Sequence, residues 1–167
     1  MRALFVCESM FGNTRQIADA IVEGLTERGT AAVVRMVDEL GHDDLNADLL
    51  IVGAPTHAWG LPRRQSRADP RPPAAPPLSG VREWLATLSG QEGKIGAAFD
   101  TRLDKPKFLT GSAARSISRG LTAHGVRLLH PAHSFLVASK RGPLAPGEFT
   151  RAKNWGAEIA SVVVTNR

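Results

Sequence analysis

The sequence predicts a three-layer, doubly wound α/β fold on a five-stranded parallel sheet. Strand-like apolar runs at 2–7, 31–37, 48–54, 94–99 and, less cleanly, 126–138 alternate with helical patterns at 14–28, 79–89, 112–124 and 148–164. The runs are continuously apolar, as in Leu49-Leu50-Ile51-Val52, which is what strands buried on both faces require. Strands separated by helices imply right-handed crossovers and therefore a parallel sheet. A short turn is expected near 38–45, and there is no internal repeat. With 167 residues the chain suits one domain, 1–167, interrupted by a Pro/Arg-rich insertion at about 62–77.

The first strand is Ala3 to Cys7, and it stops at a short polar loop. A helical pattern follows, with Ile17, Ala18, Ile21, Val22 and Leu25 on one face. Backbone N–H groups at a helix start have no intrahelical partner, and the dipole there favours an anion. Ser9 and Thr14 add hydroxyls, Gly12 permits close approach of the backbone, and Asn13 tolerates turn geometry. The first turn, Thr14 to Gln16, carries no carboxylate although acids are favoured there, and a bound phosphate explains that. An ordinary strand-to-helix turn capped by Thr14 also fits these residues. No Lys-Ser/Thr follows the glycine and there is no Gly-x-Gly-x-x-Gly, so nucleoside-triphosphate and dinucleotide fingerprints are absent.

Bulk properties narrow the setting. Hydrophobic content is 43%, and no apolar run approaches the ~20 residues that cross a membrane. A chain that enters a strand at once and holds a single cysteine predicts a cytoplasmic protein without a signal peptide or internal disulfide. Cys7 reads as a small buried apolar residue rather than a reactive thiol. The net charge is +5, so the surface suits acidic partners; no nucleic-acid module is recognisable.

Ser9-Met10-Phe11-Gly12-Asn13-Thr14 resembles the FMN phosphate loop of flavodoxins, whose usual pattern is Ser/Thr-x-Thr-Gly-Asn-Thr; Phe11 replaces the middle Thr. The resemblance runs from residue 2 to about 164 and includes the quinone-reducing and protoporphyrinogen-oxidising flavoproteins that share the fold. It implies strand order 2-1-3-4-5. In such a sheet ligands bind outside the carboxyl ends of the strands, where loops 8–14, 55–62 and 100–111 should converge. By resemblance, Pro55, Thr56, His57, Ala58, Trp59 and Gly60 wrap the isoalloxazine ring, with Trp59 stacked on it and Gly60 taking positive φ near N5. Asp100, Thr101 and Arg102 reach the pyrimidine edge through backbone amides, and Gly111 and Ser112 lie near N5 or the phosphate. The family commonly stacks a tyrosine here; this chain has no Tyr, and Phe108, the one aromatic nearby, is expected in the core. No residue is assigned as catalytic and none as a metal ligand.

The insertion 62–77 holds six of the eleven prolines and four arginines, a composition that favours an extended or mobile segment. It reads either as a tolerated surface insertion or as a docking lid. Arg63, Arg64 and Arg67, with Arg102, Lys105 and Lys107, would ring the cofactor with positive charge and favour its reduction. The expected function is an FMN-binding electron-transfer protein. Its partner would be a redox protein or a small-molecule acceptor such as a quinone. Two alternatives stay open: an NAD(P)H-dependent FMN quinone-type oxidoreductase, and a degenerate flavodoxin-like interaction protein without cofactor. A phosphoacceptor receiver domain is excluded, because Glu8 alone follows the first strand and Ala54-Pro55-Thr56 follows the third.

Overall fold

The computed structural model describes residues 1–57, 59–67 and 80–165. Its elements are β1 (Arg2–Cys7), α1 (Asn13–Thr26), β2 (Ala31–Met36), 3₁₀ turns at Val37–Glu39 and His42–Leu45, β3 (Leu49–Pro55), α2 (Arg64–Arg67), α3 (Val81–Thr87), β4 (Ile95–Leu103), α4 (Lys107–Thr110), α5 (Ala113–Ala123), β5 (Arg127–Leu128), β6 (His133–Val137) and α6 (Glu148–Thr165). The parallel sheet has order β2-β1-β3-β4-β5, as the resemblance implies, and a sixth strand, β6, also pairs with β4. In register, Phe5 lies between Val34 and Ile51, and Ile51 lies beside Ala97.

Successive residues of each inner strand feed opposite cores. Phe5, Ile51, Phe99 and Phe135 pack with Ile17, Ile21, Trp155 and Ile159 under α1 and α6. Leu4, Val6, Leu50 and Val52 pack with Leu85, Ile117 and Leu121 under α3 and α5. This is why the strands read as unbroken apolar runs. Helices α1 and α6 meet on glycines: a Cβ at Gly24 would sit 1.9 Å from the Lys153 carbonyl oxygen, and one at Gly156 would sit 2.2 Å from that of Ile21.

Three expectations change. The fifth strand is two pieces, β5 and β6, because Pro131 lies between them and has no N–H to offer a ladder. β4 runs on to Leu103 because β6 pairs with it from Phe99↔His133 to Leu103↔Val137, so residues 100–103 are strand rather than loop. Phe108 is 79% exposed instead of buried, since α4 is a single turn on the surface.

The start of the insertion is also ordered, where an extended segment was expected. Residues 64–67 form one helical turn, closed by the Arg63 N–H donating to Ser66 Oγ at 2.9 Å. Residues 68–77 lie outside the described residues.

Candidate functional site

A cleft of about 310 Å³ opens at the carboxyl ends of β1, β3, β4 and β6. Ser9, Met10, Phe11, Asn13 and Thr14 form one wall; Pro55, Thr56 and His57 form the second; Thr101 and Arg102 form the third. The three loops named from the sequence therefore do converge.

The wall at residues 9–14 leaves the start of α1 open. Gly12 at φ +86° is the N-cap of α1; no side chain caps the helix and its first turn holds no acid. The Gln16 N–H returns to the Gly12 carbonyl at 3.0 Å, and the Arg15 N–H reaches Ser9 Oγ at 3.4 Å. The Asn13 and Thr14 amides have no acceptor among the described residues, so they remain available to an anion. Thr14 does not cap the helix. Its hydroxyl is buried and shares a 2.8 Å hydrogen bond with Thr101 Oγ1, which ties the first wall to the third.

The second wall is a tight turn. His57 and Gly60 exchange both backbone hydrogen bonds, at 2.8 and 3.0 Å. Positive φ falls on Trp59 (φ 76°) and not on Gly60 as expected, because a four-residue turn of this kind places its left-handed residue third. A non-glycine residue held there carries strain of about 1–3 kcal/mol, which this turn absorbs. Trp59 is 64% exposed. It bridges in parallel to Gly111, whose φ of +72° and missing Cβ (one would lie 2.2 Å from the Trp59 carbonyl oxygen) allow the approach. Ala58 lies outside the described residues. His57 is kept neutral: burial lowers its pKa, and the charges of Lys140 and Arg67 lower it further.

Asp100 corrects a sequence expectation. It does not reach the cleft from a loop; it is fully buried on β4, and its carboxylate binds the loops together. Oδ2 accepts from Ser112 Oγ at 2.6 Å, from the Ala114 N–H at 2.9 Å and from Thr56 Oγ1 at 3.0 Å. Thr56 Oγ1 in turn accepts from the Ala113 N–H at 2.9 Å. Gly60, Asp100, Gly111 and Ser112 thus form the frame behind the lining.

Four lining residues went unpredicted: Ser66, Leu103, Val137 and Lys140. Lys140 belongs to a fourth loop, 138–143, that leans on the phosphate loop. Asn13 Nδ2 donates to the Arg141 carbonyl at 3.2 Å, and the Arg141 guanidinium lies 5.7 Å from the centroid of the Phe11 ring. The signal was a Lys-Arg-Gly-Pro stretch directly after the fifth strand run, at the same end of the sheet.

The expected basic ring is incomplete. Arg67 is 1% exposed and turned inward, donating to Glu8 Oε1 at 2.6 Å, to Glu83 Oε2 at 2.9 Å and to the Pro62 carbonyl at 3.0 Å. A guanidinium is buried here because two carboxylates match it. Cys7 is likewise buried, and burial pushes its thiol up to about 12, so it is no nucleophile.

The fold and cleft together define a doubly wound α/β domain with an uncapped helix start facing a cleft at its strand ends. Solved structures agree on the fold. The chain is similar to oxidised flavodoxin 1 from Bacillus cereus, at 20% identity and TM-score 0.71, covering 96% of this chain and 98% of that one. It is similar to a flavodoxin of Streptococcus pneumoniae, at 22% identity and TM-score 0.70, covering 96% and 99%. A flavodoxin-type, WrbA-like protein from Agrobacterium tumefaciens aligns over 99% of both chains at 18% identity and TM-score 0.65. No family model and no curated protein matches the chain. The chain has the flavodoxin-like fold. No described helix is long and apolar enough to cross a membrane.

Proposed function

We propose that the chain binds FMN in this cleft and transfers electrons through it. The observation that carries the reading is the uncapped, acid-free start of α1 at Gly12, facing the loops that end β3 and β4. Ser9 Oγ and the amides of Asn13 and Thr14 would hold the phosphate. Thr56, His57 and Trp59 would contact the ring on one side, and Thr101 and Arg102 would contact its edge. FMN, when bound, supplies the one- and two-electron chemistry; the chain binds, orients and tunes. Neutral His57 offers a hydrogen bond without adding charge, while Arg102 on the cleft wall adds positive charge and so favours the reduced, anionic ring. The reduction potential is therefore expected to be less negative than in acidic flavodoxins.

The test is a visible absorption spectrum of the purified protein together with quenching of added FMN. A yellow protein, or saturable micromolar quenching, supports the reading; a colourless protein that leaves FMN fluorescence unchanged overturns it and favours an interaction role. The oxidoreductase reading draws support from the absence of any Tyr to cover the second face of the ring, which leaves that face to a small substrate. Rapid NAD(P)H oxidation with a quinone and no separate reductase would select it. Location in the cytoplasm, and a redox protein or quinone as partner, belong to this proposal.

A further inference from the structure

A second pocket, of about 330 Å³, lies at the outer edge of the sheet where β6 meets the start of α6. Arg102, Lys107, His133, Ser134, Glu148 and Arg151 line it. Arg102 also lines the cleft, so the two cavities stand one side chain apart.

Part of this cluster has a structural task. The β6 edge would expose backbone groups, and Glu148 Oε2 accepts from the Leu136 N–H at 2.7 Å while Arg151 Nη2 donates to the Ser134 carbonyl at 2.6 Å. Arg151 also pairs with Glu148, its Nε reaching Oε1 at 3.0 Å. Those two residues satisfy the strand edge and neutralise each other. Lys107, and Arg102 on the wall it shares with the cleft, are not neutralised in this way, because neither pairs with a carboxylate among the described residues. Arg102 Nη1 is spent on the Leu103 and Lys105 carbonyls and on Thr110 Oγ1, while its buried Nε–H has no partner among the described residues.

His133 completes the donor set. Arg151 Nη1 lies 2.9 Å from its Nε2, and a guanidinium can only donate, so Nε2 accepts and Nδ1 carries the proton. That Nδ1–H meets no acceptor among the described residues. The ring is stacked on Trp155, with centroids 4.9 Å apart and planes at 26°, so it is fixed in place. Two cations without counter-ions and a locked N–H donor around one cavity call for an acceptor-only ligand.

We infer that this pocket is an oxyanion site of the phosphate class, separate from the open start of α1. Lys107 and Arg102 supply charge, and His133 Nδ1–H supplies direction. The anion could arrive as free phosphate or as the phosphate of a nucleotide whose remainder reaches past Arg102 into the cleft.

Amide and histidine-ring NMR shifts resolve the site, with inorganic phosphate and ADP titrated in turn into the full chain at constant ionic strength. Saturable shifts at His133, Ser134 and Arg151 are expected, weakened roughly fivefold in Lys107→Gln, the effect of one lost charge contact. Lys107 lies on a surface turn, so this variant folds. Free phosphate as the source moves the pocket alone. A nucleotide source makes ADP bind more tightly than phosphate and also move Leu103 and Val137 on the cleft side. Shifts confined to Ser9–Thr14, shifts that rise linearly without saturation, or affinity unchanged in Lys107→Gln would each overturn the inference.

Discussion

Replacing Arg67 with Met tests the claim that the insertion begins as part of the core. The Arg67 side chain is 2% exposed and its partner Glu8 is 4% exposed. Glu8 also accepts the Val81 N–H at 3.0 Å, so this one ion pair joins the end of β1, the turn after Pro62 and the start of α3. Arg67→Met leaves the Glu8 charge buried with that single amide donor. Removing one partner of a buried pair costs about 3–5 kcal/mol. For a chain of this size each kcal/mol lowers Tm by about 2–4 °C, which gives a fall of about 6–20 °C. The double variant Glu8→Met/Arg67→Met removes both charges and should recover much of the loss. Glu83 adds an acid limb. Burial pushes its carboxyl up, but hydrogen bonds from Arg67 and the Gly80 N–H overcome this and hold it below the usual range. Its contribution is present above the ordinary carboxylate range and is lost as pH falls through the lowered value, so Arg67→Met should flatten the acid limb. Urea unfolding at pH 7 and pH 4 measures both effects. A loss below about 1 kcal/mol, typical of an exposed pair, would refute the buried-network account, as would a double variant no more stable than the single.

Other expectations concern packing, pH and the cleft. Gly156→Ala places a Cβ 2.2 Å from the Ile21 carbonyl oxygen, so α6 must lift from α1; overpacking of this kind costs about 1–3 kcal/mol, readable as a lower urea midpoint with unchanged slope. His133 is pushed down to about 4 by burial and by the charges of Arg151 and Lys107, against the pull of Glu148. Its unfolded form takes a proton near 6.5, so stability holds above about 6.5 and declines as pH falls towards about 4. His133→Gln should lose that slope between pH 7 and pH 5, and a profile identical to the parent would show that another group sets it. Trp59→Ala should change stability by less than about 0.5 kcal/mol, because the ring is 64% exposed, yet weaken FMN quenching by several-fold. Unaltered FMN affinity would remove Trp59 from the ring-contact set.

Much of the fold was legible because burial on two faces leaves a local trace. Leu49-Leu50-Ile51-Val52 is apolar at every position since both layers cover it, and the face Ile17, Ile21 and Leu25 announces α1 without reference to any other segment. The first wall of the cleft was legible for the same reason: Ser9 to Thr14 is one contiguous loop at one strand-to-helix junction. What the sequence by itself could not decide were pairings across long separations. Arg67 reads as one more surface arginine until Glu8, 59 residues away, is placed beside it. Asp100 reads as a loop residue until β6 extends β4 past it and Ser112, Thr56 and the Ala114 N–H converge on its carboxylate. The positive φ at Trp59 was set by closure of the His57–Gly60 turn, and the place of Lys140 by a loop folded back onto Asn13. Hydrophobic periodicity is written along the chain, whereas matched charges, shared hydrogen bonds and the walls of a cleft exist only once distant segments meet.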